Sequence, residues 1–319
     1  MFFKNNKNEY LCENGKLSRE RENAVLIFEE MISSRISRFK IGEKYIACVS
    51  ENSFLSEKSD DSTLFVYDKR KNIYYTIGGL CLTLTFNGLS CCEENNDLIF
   101  EYLSREECLY YKFKKEGIVT WQGNLDNIEE ARNKILIEKH TRISNLFYDE
   151  LFVTFLKDET LKYLLDKIYN QKYHLTTYSS NTLRKEDKDG RFFHVDYPYH
   201  NIKSPYPDEI LGIQVIYALD DFTIENGATM YIPESYKAHK FPNNEIIYQS
   251  IRYITVKKGE IIFYRGDIWH SQGINLTENP RVAILANFSP LNILAKDDVI
   301  SQILNSKIDL RIVNGKVLI

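Results

Sequence analysis

Behind Ser18, a suitable N-cap followed by charged residues, the apolar positions of residues 19–39 fit a helix. From about 43 to 123 the pattern shortens into runs of β type: KYIACVS, TLFVYD, IYYTIGG, LCLTLTF, DLIFEYL, CLYYKF and GIVTW. Polar or Gly/Asn-containing turns separate them, which predicts a small antiparallel sheet. Helical patterns return near 126–139 and 144–170. After 172 strands dominate again, as YHLTTYSS, RFFHVDY, GIQVIYAL, ATMYIP, IIYQSIRYITV, EIIFY and RVAILANFS, and a short helix is expected near 296–305. The pattern divides the chain into an α+β region over 1–120 and a mainly β domain with preceding helices over 121–319. Many short strands and a late Gly-bounded hairpin suit a double-sheet jelly roll with helices covering one sheet. Ligands of such a roll sit in its mouth, where inward side chains of facing strands converge.

Composition narrows the function. A chain of 319 residues that is 43% hydrophobic can bury a full core. The formal charge of −4, with both signs interspersed, argues against nucleic-acid or membrane-surface partners. No apolar run reaches transmembrane length, and MFFKNNKNEYL lacks a secretory pattern, so a soluble cytoplasmic protein is expected. The six cysteines (Cys12, Cys48, Cys81, Cys91, Cys92, Cys108) include no C-x-x-C and read as reduced thiols.

The candidate chemistry lies in the last third. His194 and Asp196 are two apart on an expected strand, so they share a face while Phe193, Val195 and Tyr197 take the other. Two imidazoles and one carboxylate on one face suit iron(II), with the opposite positions left open. An H-x-D pair alone is equally consistent with an ordinary strand. The stretch from 259 to 289 adds weight: a strand after Gly259, a turn at Arg265-Gly266-Asp267, His270 just beyond, then Arg281 opening an apolar strand. Arg281, Ala283, Leu285 and Asn287 share one face, and an inward Arg needs an anionic partner. A planar guanidinium is well matched to the far carboxylate of a dicarboxylate cosubstrate. Asn226-Gly227 reads as a structural tight turn, and Asp220 and Asp221 as turn residues.

These residues resemble the phytanoyl-CoA dioxygenase family of iron(II)/2-oxoglutarate oxygenases. The matching segments are HVDY at 194–197, ALDDFTIENGATMYIPESYKAH at 218–239 and GEIIFYRGDIWHSQGINLTENPRVAILANFS at 259–289. The resemblance spans about 174 to 292, and the first 120 residues have no part in it. It implies a double-stranded β-helix, iron ligands His194, Asp196 and His270, and a 2-oxoglutarate anchor at Arg281. Related halogenases replace the metal carboxylate with a small residue, so Asp196 points to hydroxylation or another oxidation without halide transfer. Glu234 stands where the family usually has Gly, which predicts a different backbone conformation at that turn because non-Gly residues avoid positive φ.

Ser271, Thr277 and Asn181 are further candidates to bond the cosubstrate. Tyr197, Tyr199, His200, Gln214 and Trp269 are candidates for the substrate. Ordinary turn polarity and packing account for each of these eight equally well. The expected partners are a small-molecule substrate, amino-acid-like or a specialised metabolite, and dioxygen; the oligomeric state is open. Alternatives are a hydroxylase of protein or peptide side chains, a catalytically silent binding module of the same fold, and a cupin-like metalloenzyme needing no cosubstrate.

Overall fold

The computed structural model describes residues 1–4, 10–12, 17–20, 24, 26–33, 36–41, 44–49, 52–56, 64–68, 73–76, 81–85, 88–92, 99–101, 103–185, 187, 192–243, 249–299, 311–313 and 316–318. The chain divides into two compact units, Met1–Tyr111 and Lys112–Ile319.

The first unit is built of antiparallel strands. Four of them, in the order Ile99–Glu101, Phe2–Lys4, Tyr10–Leu11 and Leu17–Ser18, make one sheet. A second sheet has eight strands, and its Ile36–Ile41 strand pairs with both Lys44–Val49 and Phe65–Asp68, so the sheet closes on itself. Phe39 holds this core together, with its ring 5.2 Å from Phe3, 5.5 Å from Phe65 and 4.8 Å from Tyr74.

The helix expected over 19–39 is not what forms. Phe28–Ser33 and Ile36–Ile41 are paired strands instead, in register from Phe28↔Lys40. Residues 21–23, 25, 34 and 35 lie outside the described set. Helix-period spacing lost because Ile27, just before the first strand, and Phe39, within the second, are completely buried in one core with Phe3, Phe65 and Tyr74. The opposite error occurs at CLYYKF, which lies inside the helix Arg105–Glu116. Ser104 caps that helix: its Oγ accepts from the Glu107 N–H at 3.1 Å, and its own N–H donates to Glu107 Oε2 at 3.0 Å. This reciprocal capping box outweighs the β propensity of the tyrosines.

The second unit is organised by a six-stranded antiparallel sheet in the order Ile118–Gln122, Glu260–Arg265, Ile213–Ala218, Arg281–Pro290, Tyr173–Leu183, Arg142–Ile143. A three-stranded sheet, Arg252–Ile254, Thr229–Tyr231, His270–Ser271, shares a core with it, in which Ile254 packs with Ile216, Ile262 and Ala283. Ile118–Gln122, which the sequence pattern groups with the N-terminal strands, pairs with Glu260–Arg265 from Ile118↔Tyr264 to Gln122↔Glu260. No helix among the described residues is long and apolar enough to cross a membrane. The short helix expected near 296–305 lies mostly outside the described residues.

Helix Ile128–Ile137 forms where helical spacing predicts it. The 144–170 pattern is broken into Glu150–Val153, a 3-10 turn Thr154–Lys157, and Glu159–Tyr169. Asp158 makes the break. Its Oδ1 accepts from the Leu161 N–H at 2.8 Å and from Trp121 Nε1 at 3.2 Å, so it caps the third segment and satisfies a buried indole. Asp158→Ala removes the cap and orphans the indole N–H. It should lower the unfolding free energy by about 2 kcal/mol, read from a chemical denaturation midpoint at unchanged slope.

Candidate active site

The expected strand around His194 is reduced to one isolated bridge between His194 and His270. The two residues exchange both main-chain bonds: His194 N–H donates to the His270 carbonyl at 2.9 Å, and His270 N–H to the His194 carbonyl at 3.1 Å. This seats the two imidazoles side by side, with ring centroids 4.3 Å apart. Two residues on, the Asp196 N–H donates to the Gly266 carbonyl at 2.7 Å. Gly266 belongs to the turn foreseen at 265–267. That turn is locked by a buried two-point ion pair, Arg265 Nε to Asp267 Oδ1 at 2.9 Å and Nη2 to Oδ2 at 2.7 Å. The same turn places Ile268 by a bond from its N–H to the Arg265 carbonyl at 3.1 Å. One tight turn therefore positions both the aspartate and the distal histidine.

The ligand-type atoms of His194, Asp196 and His270 all lie within 4.8 Å of one another, and His270 Nε2 is 3.4 Å from Asp196 Oδ2. Each imidazole has its Nδ1 2.9 Å from a carbonyl two residues earlier, Phe192 for His194 and Ile268 for His270. Carbonyls only accept, so Nδ1 carries the proton and Nε2 presents a lone pair to the space between the rings. Burial pushes His270 down to about 4, against the opposing pull of Asp196, which keeps the imidazole neutral and able to ligate at pH 7. The Tyr264 hydroxyl donates to Asp196 Oδ2 at 3.3 Å; burial first, and then the Asp196 charge, hold that phenol protonated.

These groups wall a cavity of about 480 Å³ that also reaches Arg281. Arg281, Ala283, Leu285 and Asn287 all line it, as strand alternation requires. Arg281 is 3% exposed, its guanidinium lies 4.1 Å over the Phe222 ring, and its Nη1 donates to the Gly227 carbonyl. Its Nε is buried with no hydrogen-bond partner among the described residues. Burial lowers Arg281 to about 10, offset in part by Asp220, so the cation persists at neutral pH. A buried cation with an orphaned donor beside a two-histidine, one-carboxylate cluster is the environment that a chelating dicarboxylate and a divalent metal would complete.

Among the other candidates, Asn181, Tyr197 and Gln214 line the cavity. Asn181 Nδ2 donates to Gln272 Oε1 at 2.7 Å, and Gln214 Oε1 accepts from Asn287 Nδ2 at 3.4 Å. Five candidates lie elsewhere. Trp269 and Ser271 flank His270, and alternation turns them to the opposite side; Trp269 packs with Val195, Tyr199, Tyr206 and Ile232. Tyr199, fully buried in that cluster, accepts from the Leu211 N–H at 2.7 Å. Thr277 serves its own turn, with Oγ1 bonded to Asn275 Oδ1 at 2.7 Å and the Asn279 carbonyl at 3.1 Å. His200 is exposed in a short 3-10 turn, 5.8 Å from the Tyr197 ring.

Sequence reasoning missed Tyr264, Phe222, Thr229 and Gln272, all in the cavity wall. Tyr264 was within reach of a sequence argument, because it shares an alternating face with Ile262 in a strand already recognised. The Gly227 carbonyl, which holds Arg281, had no sequence signal beyond its turn. A side chain at Gly227, which has φ +86°, would put Cβ 2.5 Å from Leu183 Cδ2 and 2.9 Å from the Gly273 carbonyl.

Glu234 departs from expectation. It keeps the left-handed conformation, with φ 57° and ψ 10°, and its carboxylate pairs with Lys237 Nζ at 2.6 Å. The turn is over-determined by its neighbours: Ser235 N–H donates to the Ile232 carbonyl at 3.3 Å, and Ser235 Oγ accepts from the Trp269 N–H at 2.8 Å. A non-Gly residue held there is strained by about 1 kcal/mol. Glu234→Gly should therefore raise the unfolding free energy by about 0.5–1 kcal/mol, the gain being offset in part by unfolded-chain entropy. Denaturation curves of the two proteins check it.

The family model of phytanoyl-CoA dioxygenase (PhyH) matches residues 116–283. Similar curated proteins include the uncharacterized protein Rv1501 of Mycobacterium tuberculosis, 24% identical over 148 residues, 44% of this chain and 52% of the relative. Dioxygenase trt7 of Aspergillus terreus is 38% identical over 77 residues, 23% of this chain and 26% of the relative. The chain thus spans about half the length of the mycobacterial relative and a quarter of the fungal one. Among solved structures, HygX of Streptomyces hygroscopicus with nickel and 2-oxoglutarate bound is similar in fold, with TM-score 0.51 and 18% identity over 61% of this chain and 89% of that one. Iron(II) and 2-oxoglutarate are the cofactors of the matching family.

Proposed function

The chain belongs to the phytanoyl-CoA dioxygenase family, and on that premise we propose that it is an iron(II)- and 2-oxoglutarate-dependent dioxygenase that hydroxylates a small molecule. The observation that carries this reading is convergence: two imidazoles, one carboxylate and an underbonded buried guanidinium wall a single cavity. The two sheets of the second unit are read as the halves of a double-stranded β-helix, with the cavity in its mouth.

In this reading His194 and His270 ligate through Nε2, their Nδ1 protons held by main-chain carbonyls, and Asp196 supplies the third ligand. Tyr264 restrains the aspartate from the side. Arg281 would hold the distal carboxylate of 2-oxoglutarate, since its buried Nε has no hydrogen-bond partner among the described residues. Bound iron(II) and 2-oxoglutarate supply dioxygen activation coupled to decarboxylation of the cosubstrate to succinate and carbon dioxide. Phe222, Ile216, Ala283 and Leu285 exclude water around the reacting groups, while Asn181, Tyr197 and Gln214 orient the bound molecules. Asp196 keeps a carboxylate where halide transfer would require an open position, which favours hydroxylation.

Anaerobic addition of iron(II) and 2-oxoglutarate should produce the weak visible charge-transfer band of a chelate. His270→Ala should abolish it. Arg281→Ala should weaken 2-oxoglutarate by about 100-fold, the cost of leaving the distal carboxylate unpaired in a buried site. A band that survives His270→Ala, or unchanged cosubstrate affinity in Arg281→Ala, would sink the assignment. Succinate release screened against small molecules and peptides separates the small-molecule reading from a side-chain hydroxylase.

A further inference from the structure

The charge of the cavity wall runs against that of the chain. The whole protein carries −4, yet among the described residues the cavity is lined by three permanent cations, Arg142, Arg281 and Lys296, and one carboxylate, Asp196. Asp196 belongs to the metal cluster and Arg281 is buried at the far end. Arg142 and Lys296 are exposed while lining the cavity, which places them at its mouth. Neither forms an ion pair with a described residue. Among those residues, the one polar contact of the Arg142 side chain is to a neutral group, Ser179 Oγ, at 3.3 Å. Asp297 and Asp298, next to Lys296 in the chain, do not line the cavity.

Both cations are carried on backbone that is tied down. Arg142 lies on a short edge strand opposite Asn181, and the Thr182 N–H donates to the Thr141 carbonyl at 2.7 Å. The segment bearing Lys296 is pinned on both sides. The Ile293 carbonyl meets His174 Nε2 at 2.8 Å, the Leu294 carbonyl accepts from the Tyr197 hydroxyl at 2.6 Å, and the Asp297 N–H donates to the Thr176 carbonyl at 3.1 Å. Tyr197 thus links the metal dyad to the segment that presents Lys296. Two cations on tethered backbone, with no counter-charge among the described residues, at the rim of a low-dielectric cleft, focus a positive potential on whatever enters.

We propose that the substrate carries an anionic group, a carboxylate or a phosphate ester, and that Arg142 and Lys296 receive it at the mouth of the cavity. This rests on the oxygenase reading of the same cavity and names its substrate class. The anion docks at the rim, and the uncharged remainder of the molecule extends inward past Leu285 and Asn287 toward the metal cluster. Arg142 and Lys296 are specificity residues, with no part in the oxidation itself.

The test uses the whole chain loaded anaerobically with iron(II) and 2-oxoglutarate and compares matched probes by calorimetry: 3-phenylpropionate with 3-phenylpropionamide, and phenyl phosphate with phenol. The charged member of at least one pair should bind about tenfold more tightly than its neutral partner, and R142A/K296A should erase that preference. The two pairs distinguish a carboxylate from a phosphate ester. Lys162→Ala, an exposed lysine outside the cavity, serves as control and should keep the preference. Equal binding of charged and neutral probes overturns the proposal, as does a preference that survives the double variant. A double variant that loses 2-oxoglutarate instead would put the two cations on the cosubstrate and overturn it equally. The chelate band is recorded on the same samples. A missing band with the anion preference intact defeats the oxygenase reading alone, whereas a normal band without preference defeats the rim assignment alone.

Discussion

The candidate site depends on one pair of main-chain hydrogen bonds, those exchanged between His194 and His270. They join a segment with little regular structure of its own to the edge of a three-stranded sheet, and they put both imidazoles on the same side of the junction. A neighbouring bond, from the Asp196 N–H to the Gly266 carbonyl, brings the carboxylate to the same place. Backbone bonds of this kind set position without spending the side chains, which remain available to a ligand. The buried Arg265–Asp267 pair stiffens the turn on which these contacts rest. Because the turn also fixes Ile268, whose carbonyl holds the His270 ring, rigidity passes from one ion pair to all three ligand-type groups.

Arg281 shows the opposite economy. A guanidinium this deeply buried is costly unless paired, and here it has a ring beneath it, one carbonyl acceptor, and a donor left over. The cost is tolerated because the surrounding strands are otherwise well packed: Leu183 lies directly opposite Arg281 in register, and Gly227 lets the backbone come close enough to accept a bond. A folded chain that holds an under-satisfied cation in an enclosed space is prepared for an anion. The same logic extends to the cavity rim with less force, since Arg142 and Lys296 are hydrated and lose little by waiting.

How much of this could be read from residue order differs between the two halves. In the second unit short β-type runs bounded by turn residues identified most of the strands that matter, including Ile213–Ala218, Glu260–Arg265 and Arg281–Pro290. Each is buried on both faces along nearly its whole length, so it reads as a short apolar run rich in β-branched and aromatic residues rather than as a strict alternation. The first unit was harder. Phe28–Ser33 and Ile36–Ile41 have helical spacing and strand geometry, because their partners are distant aromatics that no local window contains. Arg105–Glu116 reversed the error, since a local capping box overrode a β-rich composition. The reciprocal capping box at Ser104 prevailed locally, whereas Ser18, whose Oγ accepts from the Glu20 N–H at 3.1 Å, did not hold the following segment helical against non-local burial.

Residue order by itself determined the chemical types and their sequence: a spaced histidine and aspartate, a later histidine after a tight turn, and an arginine at the start of an apolar strand. It also determined that Arg281 shares a face with Ala283, Leu285 and Asn287, because alternation along a strand is a property of the covalent chain. Tertiary structure alone decided which candidates meet. It brought Tyr264 onto Asp196 and Arg142 and Lys296 to the rim, and it withdrew Tyr199 and Trp269 into a packed cluster. It also kept Glu234 in a left-handed turn that local preference disfavours. The physical reason is the same in each case: a side chain's direction follows from its own backbone, but its neighbours are set by strand pairings and turns closed by residues far away in the chain.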